Sequence, residues 1–108
     1  MNDRFLIVKR IKKFIFSIDN LVINLPRKEI IVKDRLLTDS FDILELIYIA
    51  NSNNSKDIKI SILSKLSMCD FYLEYLYEKK IISKKICMKK SSELNEIIRM
   101  VYGWIKCI

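Results

Sequence analysis

The chain has 108 residues, with 20 Lys and Arg against 13 Asp and Glu, no His, one Gly and one Pro. That length suits one domain over residues 1–108 with a core of its own, and so few breakers leave little room for the turns of a β protein. A formal charge of +7 permits an anionic partner, while the lack of His removes the commonest base for a Ser or Cys nucleophile.

A first helix is predicted over residues 4–24. Ile7, Ile11, Phe14, Ile18, Leu21 and Leu25 step by four and three, which is an a/d seam, and Val8, Ile15 and Val22 widen it. Phe16 and Ile23 stand on a further face, so a second contact is expected there, within the chain or with another subunit. Lys9, Arg10, Lys12 and Lys13 form a lateral basic stripe on the helix's outer side.

Leu25-Pro26-Arg27 breaks this helix, and Pro suits the first turn of the next. The second helix is predicted over residues 28–50, with Leu37, Phe41, Leu44 and Ile47 as its main stripe and Leu36, Ile43 and Ala50 beside it. Asp39, Asp42 and Glu45 fall on the side expected to face water. Residues 51–54 make a polar turn, and Ser55 is a good N-cap for a third helix reaching about residue 80, with Asp57 placed to suit the helix dipole. Ile62, Leu66, Cys69, Leu73 and Leu76 give that helix a second a/d seam, and Phe71, Tyr72, Tyr75 and Tyr77 outside it read as core edges or interface, with stacking of Tyr72 or Tyr75 on a base as the sharper alternative.

Ile81 and Ile82 cross the next turn, and Ser83 can cap the fourth helix. Residues 79–90 hold Lys79, Lys80, Lys84, Lys85, Lys89 and Lys90 without an acid. Lys84 and Lys85 open a helix, where the dipole disfavours cations. In an up-down bundle Arg27 and Lys28 would join Lys79, Lys80, Lys84 and Lys85 in one basic cap. In the last stretch Leu94, Ile97, Val101, Trp104 and Ile108 keep the helical period, and Gly103 beside Trp104 predicts a close approach by a neighbouring backbone or subunit. The four helices read as an all-α, up-down-up-down antiparallel four-helix bundle.

Two parts of the chain carry a resemblance. Residues 96–106, EIIRMVYGWIK, are similar to the closing helix of the accessory variability determinant (Avd) proteins of diversity-generating retroelements, whose pattern runs roughly E-I-G-R-M-L-G-G-W-I-K. Ile98 and Tyr102 stand where that pattern has glycines. Residues 25–50 also resemble Avd, with a Pro-Arg-Lys turn before the second helix and Leu44-Glu45-Leu46-Ile47 followed by Ala50 near its end. The likeness extends to the wider four-helix-bundle family of ribosomal-RNA intervening-sequence proteins.

The resemblance implies a homopentameric barrel with a basic surface, working beside a reverse transcriptase on template RNA or DNA. The site residues expected to meet nucleic acid are Arg27, Lys28, Lys79, Lys80, Lys84 and Lys85, with Lys9, Arg10, Lys12 and Lys13 as a second group. Lysines and arginines without a base-reading motif imply affinity for charge and shape with little sequence preference. Phe16, Ile23, Gly103 and Trp104 are expected at a subunit interface. The other expectation is a structural or protein-interaction bundle of the intervening-sequence type, without nucleic-acid binding. No catalysis, metal or cofactor is expected. The cysteines at 69, 87 and 107 lack metal-ligand spacing and read as free thiols of a cytoplasmic protein. No membrane span is expected, because Asp19 interrupts the longest apolar run, and an early Asp3 argues against a signal peptide.

Overall fold

The computed structural model of the chain describes residues 3–106. Four helices follow one another: α1 (Asp3–Ile23), α2 (Ile30–Asn53), α3 (Lys56–Glu78) and α4 (Lys84–Lys106), with a single 3₁₀ turn at Arg27–Glu29 ahead of α2. Helices adjacent in sequence pack on one another, α1 closes the square against α4, and no diagonal pair brings its backbones close among the described residues. This is an up-down-up-down bundle 42 Å long. No strand occurs among the described residues, and none of their helices is long and apolar enough to cross a membrane.

Three helices bury the stripes that their periodicity marks. Ile7, Ile11, Phe14 and Ile18 of α1 are buried, and the seam then passes to Val22, leaving Leu21 and Leu25 half-buried. All of Ile62, Leu66, Cys69, Leu73 and Leu76 of α3 are buried, as are Leu94, Ile97, Val101 and Trp104 of α4. Cys107 and Ile108 lie outside the described residues.

Helix α2 is rotated from the expected stripe. Its buried set is Leu36, Ser40, Ile43, Ile47 and Ala50, again at steps of four and three, while Phe41 is 57% exposed. Ser40 reads as polar, but its hydroxyl donates to the Leu36 carbonyl at 2.6 Å, so burying it leaves no orphan group. A small residue there lets α3 come close, and it brings Ser40 against Cys69. Asp39 moves inward with the rotation and is 7% exposed, facing Lys65 at 3.6 Å and Tyr72 across the α2–α3 seam. Asp42, at 3.5 Å from the same lysine, is half-buried, and only Glu45 of the three acids is exposed.

The connections follow local chemistry. Ser55 caps α3 by accepting from the Ile58 amide at 3.3 Å, and Ser83 caps α4 by accepting from the Ile86 amide at 3.2 Å. Helix α2 ends on Asn54 in the left-handed region, φ 52°, with its amide donating to the Ala50 carbonyl.

Truncating Leu36→Ala should cost about 2–5 kcal/mol in urea unfolding. Phe41→Ala in dilute protein should stay within about 0.5 kcal/mol; equal losses would restore the stripe read from hydrophobicity. Burial pushes the Cys69 thiol up to about 12, with Ser40's hydrogen bond opposing that rise only in part. An alkylating reagent at pH 8, followed by peptide mapping, should therefore leave Cys69 unmodified until the bundle unfolds.

Candidate nucleic-acid interface

The turn before α2 and the turn before α4 meet at one end of the bundle. The contact that fixes them is Glu29 with Lys79, 3.0 Å apart. Glu29 is 3% exposed, and the Lys79 ammonium also sits 5.0 Å from the Tyr75 ring centre. Glu29's hydrogen bond first, and Tyr75's after it, raise the Lys79 pKa. Lys79 is thus a partner to a buried carboxylate, and removing it would strand that charge. Tyr72 is buried, which takes it out of reach of a stacking base, and Tyr75 is half-buried beneath Lys79.

Around this clasp stand the other cap residues. Arg27, Lys28, Lys80, Lys84 and Lys85 are all exposed, and none of them forms an ion pair among the described residues. Two of these placements oppose local stability. Lys80 has φ 61°, and it follows α3 where the Ile81 amide reaches the Leu76 carbonyl and the Lys80 amide reaches Tyr77. That pair of bonds is a Schellman end, whose left-handed position usually carries Gly. Lys84 and Lys85 occupy the first turn of α4, which contains no acid.

The basic stripe on α1 divides between two faces. Arg10 and Lys13 turn toward α4, where they line a groove of about 460 Å³ with Ser17, Lys89, Ser92 and Glu96. Arg10 is held by Glu96 at 3.0 Å, and the Lys90 ammonium donates to Ser17 across the same seam. Lys9 and Lys12 are exposed and, at steps of seven and four from Phe16, share its side of the helix. The groove was not evident in the residue spacing. A signal for it did exist in charge by segment: residues 1–24 and 84–108 hold eleven Lys and Arg against four acids, while residues 25–83 hold nine of each. The whole excess of +7 therefore belongs to the segments bearing α1 and α4.

Exposed apolar side chains gather elsewhere. On α1, Arg10 and Ser17 face α4, so Phe16 (74% exposed) and Ile23 lie on the flank toward α2. On α2, Asp39 faces α3, so Ile30, Phe41 and Tyr48 lie on the flank toward α1. Ser91 of α4 meets Asp70 of α3 at 2.7 Å, so Met88 and Tyr102 lie on the α4 flank toward α3, whereas the exposed Phe71 of α3 turns away from α4, its ring 6.3 Å from those of Tyr72 and Tyr75. Trp104 contributes to neither face. It is 5% exposed within the chain, under the Lys59 ammonium at 4.7 Å, so its ring does not supply open interface area. Gly103 is exposed, and a Cβ built there would meet nothing within 4 Å, so no neighbouring backbone of this chain requires the glycine.

No protein-family model matches the sequence, and no curated protein matches it. Among solved structures, the chain is similar to a crystal structure of a protein of unknown function from the S23 ribosomal protein family of Bacteroides thetaiotaomicron VPI-5482. The two share 17% identity with a TM-score of 0.87, over 97% of this chain and 99% of that one. At that identity the likeness carries the small helical-bundle fold and leaves the function to the residues.

Lys80→Gly should stabilise the bundle by about 1 kcal/mol, read as a higher midpoint in urea at unchanged slope. A loss of stability would mean that the Lys80 side chain makes a contact worth more than its backbone strain.

Proposed function

We propose that this chain is a non-enzymatic, nucleic-acid-binding accessory protein that acts as an assembly of copies. The observation that carries the reading is the cap: Arg27, Lys28, Lys80, Lys84 and Lys85 converge at one end, all exposed and none in an ion pair among the described residues. Bringing those charges together gains the bare protein nothing evident, whereas bound phosphates would relieve the repulsion and release counterions. The cap presents ammonium and guanidinium groups with no base-reading element, so affinity follows phosphate density more than sequence.

The resemblance to Avd takes the reading further, to a homopentamer beside a reverse transcriptase, helping to position template RNA or cDNA. Exposed apolar side chains support assembly: Phe16, Ile23, Ile30 and Phe41 gather along α1 and α2, and others stand on α3 (Ile60, Phe71) and α4 (Met88, Tyr102). Different faces suit a head-to-tail contact, which closes into a ring when the rotation permits. The same faces also favour the other reading, a protein-interaction bundle of the intervening-sequence type that needs no nucleic acid.

Fluorescence anisotropy with a labelled RNA should show binding that weakens steeply with salt. Lys80→Gln, Lys84→Gln and Lys85→Gln together should flatten the log–log salt slope by roughly 2 for a single strand. Lys79 is left intact in that variant so that Glu29 keeps its partner. No binding by the parent protein at low salt would favour the interaction bundle. Light scattering at micromolar concentration should give a mass several times 12.9 kDa, and Phe16→Ser with Phe41→Ser should lower it toward the monomer.

A further inference from the structure

We infer that the groove between α1 and α4 is a track for the phosphodiester backbone of a single-stranded nucleic acid, continuing the basic cap along the side of the bundle. This rests on the proposed binding of nucleic acid at the cap and adds the path the strand takes from it.

The segments of α1 and α4 carry the entire excess of +7, and the up-down order makes these two helices neighbours. Their shared groove has a buried apolar floor in Phe14 and Ile97 and polar walls above it. On α4, Lys85, Lys89 and Ser92 follow one another at steps of four and three, rising from the cap. On α1, Arg10, Lys13 and Ser17 step by three and four along the facing wall. The strips therefore offer cations and neutral donors, the two kinds of group that hold phosphate oxygens.

Lys13 and Lys89 are exposed and form no ion pair among the described residues, so their charges are open to a ligand. Arg10 is different: Glu96 holds it at 3.0 Å, with both side chains about two-fifths exposed. A surface pair of that kind exchanges partners at little cost, so a phosphate can take Arg10 from Glu96. Glu93, which also lines the groove and stands 3.9 Å from Lys90, opposes an anion in the same way. The two acids set an upper limit on affinity and make the site sensitive to their removal.

The dimensions select a single strand. The groove encloses about 460 Å³, so it can take a short run of one sugar-phosphate chain, while a duplex would ride on its rims. Neither wall carries an exposed aromatic ring among the lining residues, since Phe14 is 1% exposed. Contacts are therefore to the backbone, and base identity is left unread.

The test uses the full chain, a fluorescein-labelled single strand of about 20 thymidines, and a blunt DNA duplex of the same length. Lys13→Gln with Lys89→Gln should weaken binding of the single strand by about tenfold and reduce its salt slope by roughly 1.4, for two lost phosphate contacts. The Arg-substituted pair, Lys13→Arg with Lys89→Arg, should bind like the parent. Glu93→Gln with Glu96→Gln should tighten binding severalfold, and the single strand should gain more than the duplex. Asp34→Asn with Asp42→Asn changes net charge equally on the α2–α3 side and should tighten it much less. Circular dichroism should be unchanged throughout. The track is overturned if the Lys13/Lys89 variant binds like the parent at every salt concentration, or if both acid-removal variants tighten binding equally. When that happens while the cap variant loses affinity, the cap reading stands and only the groove falls. A parent that binds neither probe at low salt removes both.

Discussion

Burial of four apolar seams forces two like-charged helices to lie side by side. In an up-down order the first and last helices must be neighbours if the square is to close, and here those helices belong to segments with eleven Lys and Arg against four acids. The seam beneath them, with Ile11, Phe14, Leu94 and Ile97 buried, supplies apolar burial at about 25 cal/mol per Å². Repulsion between exposed charges is screened beyond a Debye length of about 8–10 Å. Burial wins, and the surface is left with a charge density that the core did not ask for. Arg10 with Glu96 and Lys90 with Ser17 and Glu93 moderate it where the helices meet.

The two ends of the bundle are closed by different devices, and the difference bears on how each can be used. At the cap end, a carboxylate 3% exposed is paired with a lysine that keeps 42% of its side chain in water. Such a pair costs desolvation on one side only and fixes the relation of two turns that have no covalent link between them. At the other end, Lys59 is itself 3% exposed, donating to the Asn54 side chain at 2.5 Å and covering the Trp104 ring. That arrangement ties the end of α2, the start of α3 and the end of α4 by one ammonium group. The first device leaves its neighbouring cations outside and available, and the second draws its cation in.

What the residues alone revealed depended on whether hydrophobicity and burial coincide. They coincide in α1, α3 and α4, where the buried sets are nearly the ones that spacing marks. They part in α2, because Phe41 outweighs Ser40 on any apolar scale, yet packing against α3 rewards the small residue whose hydroxyl bonds its own helix. Asp39 followed the same error, since an acid on a helix is usually solvated and this one has Lys65 and Tyr72 to meet it. The serine caps were plain because capping is local. The groove was not, because it is made by residues about seventy-five positions apart, such as Lys13 and Lys89, and only the topology brings them together. Gly103 and Trp104 stand adjacent in sequence but serve different surroundings, the one exposed and the other inside.

Backbone strain and charge placement at the cap bear on one another. A lysine in the left-handed region costs about 1 kcal/mol more than glycine would, and two lysines in the first turn of α4 lose a few tenths each to the dipole. These costs are small against a bundle with this much buried aliphatic surface, so a stable core can carry them. The placement of the remaining surfaces then becomes consistent. If copies meet through the apolar flanks, α1–α2 of one against α3–α4 of the next, neither flank includes the α1–α4 groove. The basic groove and the α2–α3 side, whose two helices carry more acids than Lys and Arg, would lie on opposite walls of such an assembly. Every copy would then turn its excess charge the same way, and a strand crossing from one groove to the next would meet cations throughout.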